Sequence, residues 1–270
     1  MNSQHDFINE ICAEEGIQLE SLSQNYVLRL TKNGQTRTVF GAFWDINSAA
    51  ADRIACDKTA CYSMLHSNKI PAIAHELFYN PMHRMGWARP EGTWANALRF
   101  FESCGNLAVL KPNQGTRGND VYLCDSIPAM EAAAHAIFTN HPSAAISPYR
   151  KIETEYRVFY LNGKCYFVYG KTASETWQHN LAQGAKAVQM PNETEEDKKW
   201  INKLYNLAIR AANCIGINFA TIDIAESHNK EIAIMEINSG VQAKILLNQL
   251  PQLRPIIKNI YTAAIKAMFV

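Results

Sequence analysis

The sequence predicts a mixed α/β fold of the α+β kind, in which strands are often neighbours along the chain. Two Asn-Gly pairs, Asn33-Gly34 and Asn162-Gly163, each separate two β-rich runs, and Asn-Gly is a strong short-range signal for a β-hairpin. Helical stretches separate groups of strands rather than single strands. The strict βαβ alternation of a doubly wound parallel sheet is therefore not predicted.

Elements of the first half follow from periodicity and turn signals. The β-rich runs YVLRLT and TRTVFGAF flank the turn at Asn33-Gly34, and Pro71 closes a helical stretch with apolar positions at Ile54, Cys61 and Leu65. We predict helix 6–15, strands 26–31 and 36–43, helices 48–67 and 91–104, strands 107–111 and 121–124, and helix 128–139.

The second half has one clear helix start. Thr194 and Asp197 form the spacing of a capping box, and the residues that follow carry apolar side chains at helical spacing. We predict strands 144–149, 156–161 and 164–172, a helix from Thr194, strands 219–225 and 231–238, and a final helix over about 252–269. The alternating aromatic residues of strands 156–161 and 164–172 predict sheet packing rather than base stacking.

Composition excludes several classes of protein. The chain has 270 residues, 47% of them hydrophobic, which is enough for a sizeable core, and its 26 basic and 25 acidic residues nearly cancel. A nucleic-acid partner or a polybasic membrane surface is not expected, because both usually require a basic excess. No apolar run approaches the roughly 18 residues of a membrane span, and the N-terminus lacks the pattern of a secretory signal.

The seven cysteines predict a reducing compartment. They are scattered without a CxxC pair or a Cys/His cluster, and several lie in apolar stretches. Buried reduced thiols explain this pattern better than disulfides or a zinc site. We therefore expect a cytoplasmic protein. His179 and His228 stand alone in polar segments and are expected to be surface residues rather than catalytic bases.

A glycine-rich loop joins two predicted strands and could bind phosphate. It begins at Lys111 and contains Gly115, Thr116 and Gly118. The glycines let the backbone turn so that several N–H groups face one point, and Lys111 could reach the same phosphates. It is not a P-loop, because GxxxxGK[ST] is missing and a strand follows. On these residues alone, an ordinary glycine-rich hairpin turn remains the alternative.

Three oxygen-bearing side chains lie near the other end of the chain. Glu236 and Asn238 are two apart in a predicted strand and so share a face, and Asp223 lies in the preceding strand. Carboxylate and amide oxygens are ligands suited to Mg²⁺, and charges in apolar strands are costly unless they are paired or bound to metal. The alternative is a set of solvent-facing strand ends.

These pieces occur in an order that resembles the ATP-grasp superfamily. The resemblance runs from about residue 38 to about residue 245 and is nearest to the amino-acid ligase branch: ribosomal-protein glutamate ligases, the ATP-grasp region of bifunctional glutathione synthetases, and cyanophycin synthetases. The motifs that carry it are Ile54–Lys58, the loop segment 109–123, Ile146–Tyr149, Glu153–Phe159, Lys171, Asn180–Gly184, and the set Asp223, Glu236 and Asn238.

The resemblance implies a fold and a role for each matching residue. It implies two α+β lobes that grip ATP: a short N-terminal extension (1–47), an N-terminal lobe with the glycine loop (48–145) and a C-terminal lobe with the metal site (146–270). The resemblance assigns phosphate binding to Lys58, Lys111, Gly115, Thr116 and Gly118. It assigns adenine binding to Pro148 and Tyr149, and ribose binding to Glu155. The resemblance also assigns catalytic roles to Arg157, Lys171 and Asn180, and metal binding to Asp223, Glu236 and Asn238.

The implied activity is a carboxylate–amine ligase that forms an acyl phosphate and releases ADP and phosphate. ATP and two Mg²⁺ ions are the expected cofactors, with Mn²⁺ able to substitute. The expected substrates are a small-molecule acid and amine, such as amino acids or a peptide, with no nucleic acid and no membrane partner. A homodimer, or a partner that supplies a substrate domain, is also compatible. The alternatives are an ATP-grasp phosphotransferase and a non-catalytic ATP-binding regulatory module.

Three departures from the family pattern matter. Pro148 has no N–H, so the donor to the adenine ring would come from Tyr149 or Arg150. After Asn238 the ligases usually have Ser/Thr-Pro-Gly, whereas this chain has a different tetrapeptide, Ser239-Gly240-Val241-Gln242. The front segment is also shorter than the substrate-binding domain of many relatives. The loop after Asn238 borders the acceptor site in the family, so the second departure leaves the amine substrate open.

Overall fold

The computed structural model describes residues 3–82, 92–116, 118–172, 177 and 179–270. Its strands form three antiparallel sheets, so the prediction of a mixed fold without βαβ alternation is confirmed. The first sheet has the order β1-β2-β3-β4 and follows one helix. These elements are α1 (Gln4–Glu14), β1 (Gln18–Leu22), β2 (Val27–Lys32), β3 (Gln35–Phe40) and β4 (Phe43–Trp44).

The predicted hairpin at Asn33-Gly34 is present. Asn33 and Gly34 have φ angles of 51° and 78°, and positive φ at both central positions is typical of a type I′ turn, which favours Asn-Gly. The short strand β1 was not predicted. Its exposed and half-buried residues lack the clean alternation that would have marked it.

One predicted helix is in fact two, α2 (Ala49–Cys56) and α3 (Lys58–Ser67). The single helix over 48–67 was therefore wrong at Asp57. The Asp57 backbone is extended, and its carboxylate accepts hydrogen bonds from the Ala60 N–H at 2.9 Å and the Thr59 hydroxyl at 3.0 Å. A capping Asp satisfies the free N–H groups of a new helix start, so it breaks the run despite continuous apolar spacing.

The second sheet has the strand order β5-β8-β6-β7. One of its faces packs against two helices around Phe78, Phe101 and Ile137. Strand β5 was not predicted, and residue 91 of the helix predicted over 91–104 lies outside the described residues. The elements are β5 (Glu76–Tyr79), α4 (Trp94–Ser103), β6 (Ala108–Pro112), β7 (Tyr122–Cys124), α5 (Ile127–Phe138) and β8 (Ser143–Pro148).

The third sheet has the order β11-β10-β9-β12-β13. Its predicted strands are present with shifted ends, and the capping box at Thr194 is confirmed. The elements are β9 (Ile152–Leu161), β10 (Lys164–Thr172), β11 (Lys186–Gln189), α6 (Glu195–Ile215), β12 (Phe219–Ser227), β13 (Ile232–Asn238), α7 (Lys244–Gln249) and α8 (Arg254–Met268).

The two faces of the third sheet are covered differently. Helices α2, α3 and α6 bury one face around Val158, Ile222 and Leu204. The opposite face packs on the N-terminal sheet and α8, but only over part of each strand, at residues such as Phe159 and Phe219. The rest of that face carries the charged side chains described below.

The N-terminal segment is tied to the end of the chain. Phe7 and Trp44 pack on Tyr261 of α8, and Glu10 forms ion pairs with Arg254 and Lys258. The division into three units at residues 47 and 145 stays a prediction, and β8 runs across its second boundary. None of the helices in the described part of the chain is long and apolar enough to cross a bilayer.

Candidate active site

A row of polar side chains crosses the third sheet. Register pairing places Tyr169 of β10 opposite Arg157 of β9, Arg157 opposite Asp223 of β12, and Asp223 opposite Glu236 of β13. Directly opposed residues of antiparallel strands point to the same face. In the adjacent row, Lys171 is opposite Glu155. Four strands thus bring together residues that are far apart in the sequence.

Two of these cations are paired with two carboxylates. Arg157 donates from Nε and one terminal nitrogen to the two oxygens of Asp223, at 2.7 and 2.6 Å. Lys171 donates to Glu155, and its Nζ lies 3.3 Å from Oδ1 of Asp223. The Glu155, Lys171 and Asp223 side chains are almost completely buried. Unpaired charges would be very costly there, and mutual pairing offsets that cost.

The pairing sets the protonation of the group. Burial alone would raise the pKa of Asp223, but the Arg157 and Lys171 charges outweigh it and lower that pKa to about 2. Burial raises the pKa of Glu155 to about 7, with Lys171 opposing the rise. The pKa of Lys171 is raised because Asp223 and Glu155 outweigh burial and the nearby Arg157. Asp223 and Lys171 are therefore charged at neutral pH.

The three predicted metal ligands lie together on this face. Asp223 and Glu236 are directly opposed, and Nδ2 of Asn238 is 3.3 Å from Oδ2 of Asp223. Turning the Asn238 amide exchanges its nitrogen and oxygen positions. Nowhere in the described residues do three His, Cys, Asp or Glu side chains form a metal-sized group. The donor set is therefore two carboxylates and one amide, which suits a hard cation that keeps other positions for water or phosphate.

Two further lysines have a different environment. Nζ of Lys58, at the start of α3, donates to the Gly115 carbonyl at 3.0 Å and lies 3.8 Å from Oε2 of Glu236. Lys111, near the end of β6, has no carboxylate within 4.0 Å among the residues that the structure describes. Burial first, and then the charge of Lys58, lower the pKa of Lys111 to about 8. An anion beside Lys111 would relieve both effects.

The base of the glycine loop is attached to the start of α3. Asn113 accepts hydrogen bonds from the backbone N–H groups of Lys58 and Thr59, both at 3.2 Å, and Gln114 donates to Asp57 at 3.3 Å. Sequence analysis assigned no function to Asp57 or Asn113. The helix-capping preference of Asp was a usable signal for Asp57, whereas nothing local marked Asn113.

Gly118 is favoured by its backbone conformation and lies against Asn180. Its φ is +69°, and a Cβ there would lie 2.6 Å from Nδ2 of Asn180. The glycine loop therefore touches Asn180, which caps a short turn by accepting from the Ala182 N–H at 2.9 Å. A Cβ on Gly115 would meet Pro112 at 2.9 Å. Thr116 is exposed in the loop, and Arg117 lies outside the described residues.

The predicted hinge lies at the end of β8, beside β6. Pro148 is paired with Ala108, and the Tyr149 N–H donates to the Leu107 carbonyl at 3.1 Å. That N–H is therefore already used, so of the two donors that the sequence offered for the predicted hinge, only Arg150 has not been given another partner here. The Tyr149 ring packs edge-on against Trp177, with centroids 5.9 Å apart.

Two other expectations concern residues near the site. His179 was expected at the surface, but it is buried and its Nδ1 lies 3.0 Å from the Lys171 carbonyl, so that expectation was wrong. In the unusual Ser239–Gln242 segment, Ser239 and Val241 are buried whereas Gln242 is exposed. The Val241 carbonyl accepts from the Tyr261 hydroxyl at 3.3 Å.

Known proteins share this architecture. Residues 55–250 match the RimK-like ATP-grasp domain. A probable alpha-L-glutamate ligase of Alcanivorax borkumensis is 29% identical over 139 residues, which are 50% of this chain and 43% of that protein. The tetrahydromethanopterin:alpha-L-glutamate ligase of Methanocaldococcus jannaschii is 25% identical over 139 residues, 49% of this chain and 45% of that protein. The chain thus spans less than half the length of these curated relatives.

Solved structures support the fold independently of sequence. The D-alanine–D-alanine ligase of Bacillus anthracis superposes with a TM-score of 0.61 over 82% of this chain and 71% of that one, at 12% identity. Such low identity speaks for the fold alone. The family match covers most of the chain and includes Lys58, Lys111, Arg157, Asp223 and Glu236. The chain belongs to the RimK-like ATP-grasp domain family.

Proposed function

We propose that this protein is an ATP-dependent carboxylate–amine ligase that works through an acyl phosphate. The observation that carries the proposal is the arrangement of charge in the cleft of an ATP-grasp protein. Lys111 has no carboxylate within 4.0 Å among the described residues and Lys58 has Glu236 at 3.8 Å, while Asp223 and Glu236 lie opposite each other on adjacent strands. A polyphosphate with its metal fits between these groups because each side supplies the charge that the ligand needs.

The first step transfers a phosphoryl group. A carboxylate oxygen of the acid substrate bonds to the γ-phosphorus of ATP, the bond from that phosphorus to the β,γ-bridging oxygen breaks, and ADP leaves with the electron pair. Negative charge accumulates along the line of transfer, so cations that are already in place lower the barrier. Lys58 and Lys111 hold the phosphates, and Arg157 faces the developing charge. The glycine loop supplies backbone N–H groups above them.

The second step forms the amide. The amine nitrogen bonds to the acyl carbon, the carbon–oxygen bond to phosphate breaks, and phosphate leaves. The nitrogen loses a proton, which phosphate or solvent accepts. Arg157 stabilises the oxyanion of the tetrahedral intermediate, and its fixed orientation on Asp223 means that little reorganisation is needed. Lys171 and Asn180 line the same side.

Asp223, Glu236 and Asn238 would hold Mg²⁺, and two ions are proposed, with Mn²⁺ able to replace them. Bound Mg²⁺ would supply positive charge to the phosphate oxygens. The two carboxylates fit this role because they are opposed on one sheet face with the amide beside them. Asp223 already serves Arg157 and Lys171, so the protein holds this oxygen donor in a fixed position.

We propose an amino acid or a small peptide as the acid or the amine. Two curated relatives are named as glutamate ligases, which supports this class without naming the substrate. A phosphotransferase would use the same phosphate machinery but would need no amine. A regulatory module without turnover would be expected to have lost a lysine or a carboxylate, whereas Lys58, Lys111, Asp223 and Glu236 are all present. A second copy or a partner protein could supply a substrate domain.

A screen of amino-acid pairs tests the proposal. The purified protein, ATP and Mg²⁺ are incubated with each pair, ADP and phosphate are measured, and mass spectrometry detects the condensed product. A ligase releases phosphate and forms product only when both acid and amine are present. ADP release together with a stable phosphorylated acceptor, independent of amine, would instead indicate a kinase. No ATP binding by calorimetry would reject both.

A further inference from the structure

Three aromatic side chains lie together on the surface of the N-terminal sheet. Tyr26, Phe40 and Phe43 are 54%, 51% and 36% exposed. Phe40 and Phe43 are directly opposed on β3 and β4, and the Tyr26 ring packs edge-on against Phe40 with centroids 4.8 Å apart. The proposed reaction uses none of them. Clustered exposed aromatic rings commonly mark a surface that contacts another molecule. We call these three residues the aromatic patch.

The aromatic patch is held in a fixed orientation. Val39 and Trp44 are the chain neighbours of Phe40 and Phe43, and both are buried in the core beneath the sheet. Strand alternation therefore turns Phe40 and Phe43 to the outer face. Trp44 also packs edge-on against Phe219 of β12, with centroids 5.2 Å apart. The rings thus need little ordering when a ligand arrives, which lowers the entropic cost of binding.

The turn beside the aromatic patch touches an edge of the cleft. Ala42 lies in the two-residue turn that joins β3 to β4. A Cβ on Gly240 would lie 3.2 Å from the Cβ of Ala42, so this turn is in contact with the segment that follows β13. Gly240 is two residues after Asn238, one of the three proposed metal ligands. The aromatic patch therefore stands at the rim of the cleft.

This rim is the one opposite the predicted hinge. The hinge residue Pro148 comes just before β9, Glu155 and Arg157 follow along that strand, and Phe159 is next and packs under the N-terminal sheet. A nucleotide with its base at the hinge and its γ-phosphate at Arg157 points its reacting end toward the N-terminal sheet. In-line transfer places the substrates beyond the γ-phosphate, which is the side of the aromatic patch.

We propose that the aromatic patch binds an apolar side chain of the amine substrate, which is then a peptide and not a free amino acid. This inference rests on the proposed function. The amine attacks after the acyl phosphate has formed, when the nucleotide and the acid already fill the interior, so it approaches from this rim. The path from Asn238 over the turn to Phe43 is about 10–15 Å, which an extended chain spans with about three to five residues.

The aromatic patch is too small to hold a second copy of this chain. Three rings that are about half exposed offer on the order of 300 Å², whereas a stable dimer buries about 800 Å² on each partner. The same outer face carries the exposed ion pair of Arg29 with Glu20, which a larger interface would have to desolvate. The area suits one side chain of a ligand.

Peptide binding tests this subsite without knowledge of the acid. The probes are alanine pentapeptides with a free N-terminal amine and an amidated C-terminus. Each carries one Phe at position 3, 4 or 5, or one Ser at the same position as its matched control. Calorimetry measures their affinity for the full chain in Mg²⁺ and a non-hydrolysable ATP analogue. The variants are Phe40→Ala and Phe43→Ala. Ile127→Ala is the control, because Ile127 of α5 is 42% exposed and lies outside the aromatic patch.

The wild type should bind a Phe peptide about tenfold more tightly than its Ser counterpart at one of these positions, because the Phe side chain is partly buried against the rings. Phe40→Ala and Phe43→Ala should remove this preference, and Ile127→Ala should retain it. The inference is overturned if the wild type shows no preference at any position, or if the preference survives both substitutions. The comparison of peptides on the wild type does not depend on the folding of any variant.

Two further results separate the alternatives. If the wild type binds no ATP analogue, the proposed function itself fails. If it binds the analogue but does not prefer Phe over Ser, only the subsite fails. Sedimentation of the wild type and Phe40→Ala over a range of concentrations tests for a second copy, and a monomer is the expected result. A dimer that Phe40→Ala dissociates would assign the aromatic patch to self-association and overturn the subsite.

Discussion

Two groups of cations line the cleft, and they differ in how their charge is balanced. Arg157 and Lys171 are held by Asp223 and Glu155 at hydrogen-bond distance. Lys111 has no such partner in the described part of the chain, and Lys58 reaches a backbone carbonyl and lies 3.8 Å from the nearest carboxylate. We call these the paired group and the open group.

The difference shows in Lys171, which is buried, and Lys111, which is half-buried. The pKa of Lys171 is raised because Asp223 and Glu155 outweigh its burial, whereas burial and Lys58 lower the pKa of Lys111 to about 8. The paired group is already satisfied by the protein and so fixes geometry. In the open group, Lys111 has no carboxylate partner in the described residues and Lys58 has the 3.8 Å contact with Glu236, so an anionic ligand would stabilise this group. In this view the protein orients one end of the cleft in advance and leaves the other for the phosphates.

Breaking the paired group should have the largest effect. Asp223→Asn leaves Arg157 and Lys171 buried with one carboxylate fewer, and loss of one partner from a buried ion pair typically costs about 3–5 kcal/mol. We expect a fall of this size in the free energy of unfolding, measured by urea denaturation, together with loss of turnover. A variant as stable as the wild type would show that the pairing does not hold the sheet face together.

Substituting the carboxylate on the neighbouring strand, Glu236, should separate the loss of turnover from the loss of stability. Glu236 is opposite Asp223, but its nearest cation is Lys58 at 3.8 Å. Glu236→Gln should therefore abolish ATP-dependent turnover while changing the urea midpoint little. Adding Asn238→Ala should make turnover no worse, since residues that act as one metal unit are non-additive. Near-normal activity of Glu236→Gln in Mg²⁺ would contradict the metal role.

These contrasts show which parts of the site local sequence could predict. The period of two along a strand predicted that Glu236 and Asn238 share a face, and the two Asn-Gly pairs predicted their hairpins correctly. The pairing of Arg157 with Asp223 joins residues 66 positions apart, and its register depends on the whole sheet. No local signal marks such a contact, because only the assembled core determines it.

Helix breaks and the burial of single polar side chains were harder to predict than the strands and hairpins. Asp57 interrupts a run with continuous helical spacing, and a capping hydrogen bond outweighs that spacing there. His179 lies in a polar segment that gives no hint that its ring is buried, whereas His75 follows the apolar run Ala72-Ile73-Ala74 and is buried too. Burial of a single polar side chain depends on elements that arrive from elsewhere in the chain, so the sequence could not reveal the burial of His179.

Removing the charge of Lys111 should weaken nucleotide binding without lowering the stability of the fold. Lys111→Met keeps most of the side-chain volume but removes the charge. We expect ATP affinity to fall by roughly 1–3 kcal/mol, the scale of a lost charge-assisted contact. Stability should stay level or rise, because a costly buried charge is gone. Calorimetry and urea unfolding on one preparation test both parts, and unchanged ATP affinity would remove Lys111 from the site.

The smallest expected effect is a pH dependence of the free energy of unfolding that arises from Lys111 of the open group. The pKa of Lys111 falls from its ordinary 10.5 to about 8 in the folded protein. Between these values the unfolded chain holds a proton that the folded chain has released, so stability rises with pH across this window. Below about pH 8 both states hold the proton, and the cost of the buried charge is fully present. Lys111→Met lacks this titration, whereas the other groups titrate alike in both proteins. The stability of the wild type relative to Lys111→Met should therefore improve between pH 7 and pH 9, by on the order of 1 kcal/mol. A difference that stays constant with pH would mean that Lys111 is solvated or paired, and the contrast between the two groups would then be lost.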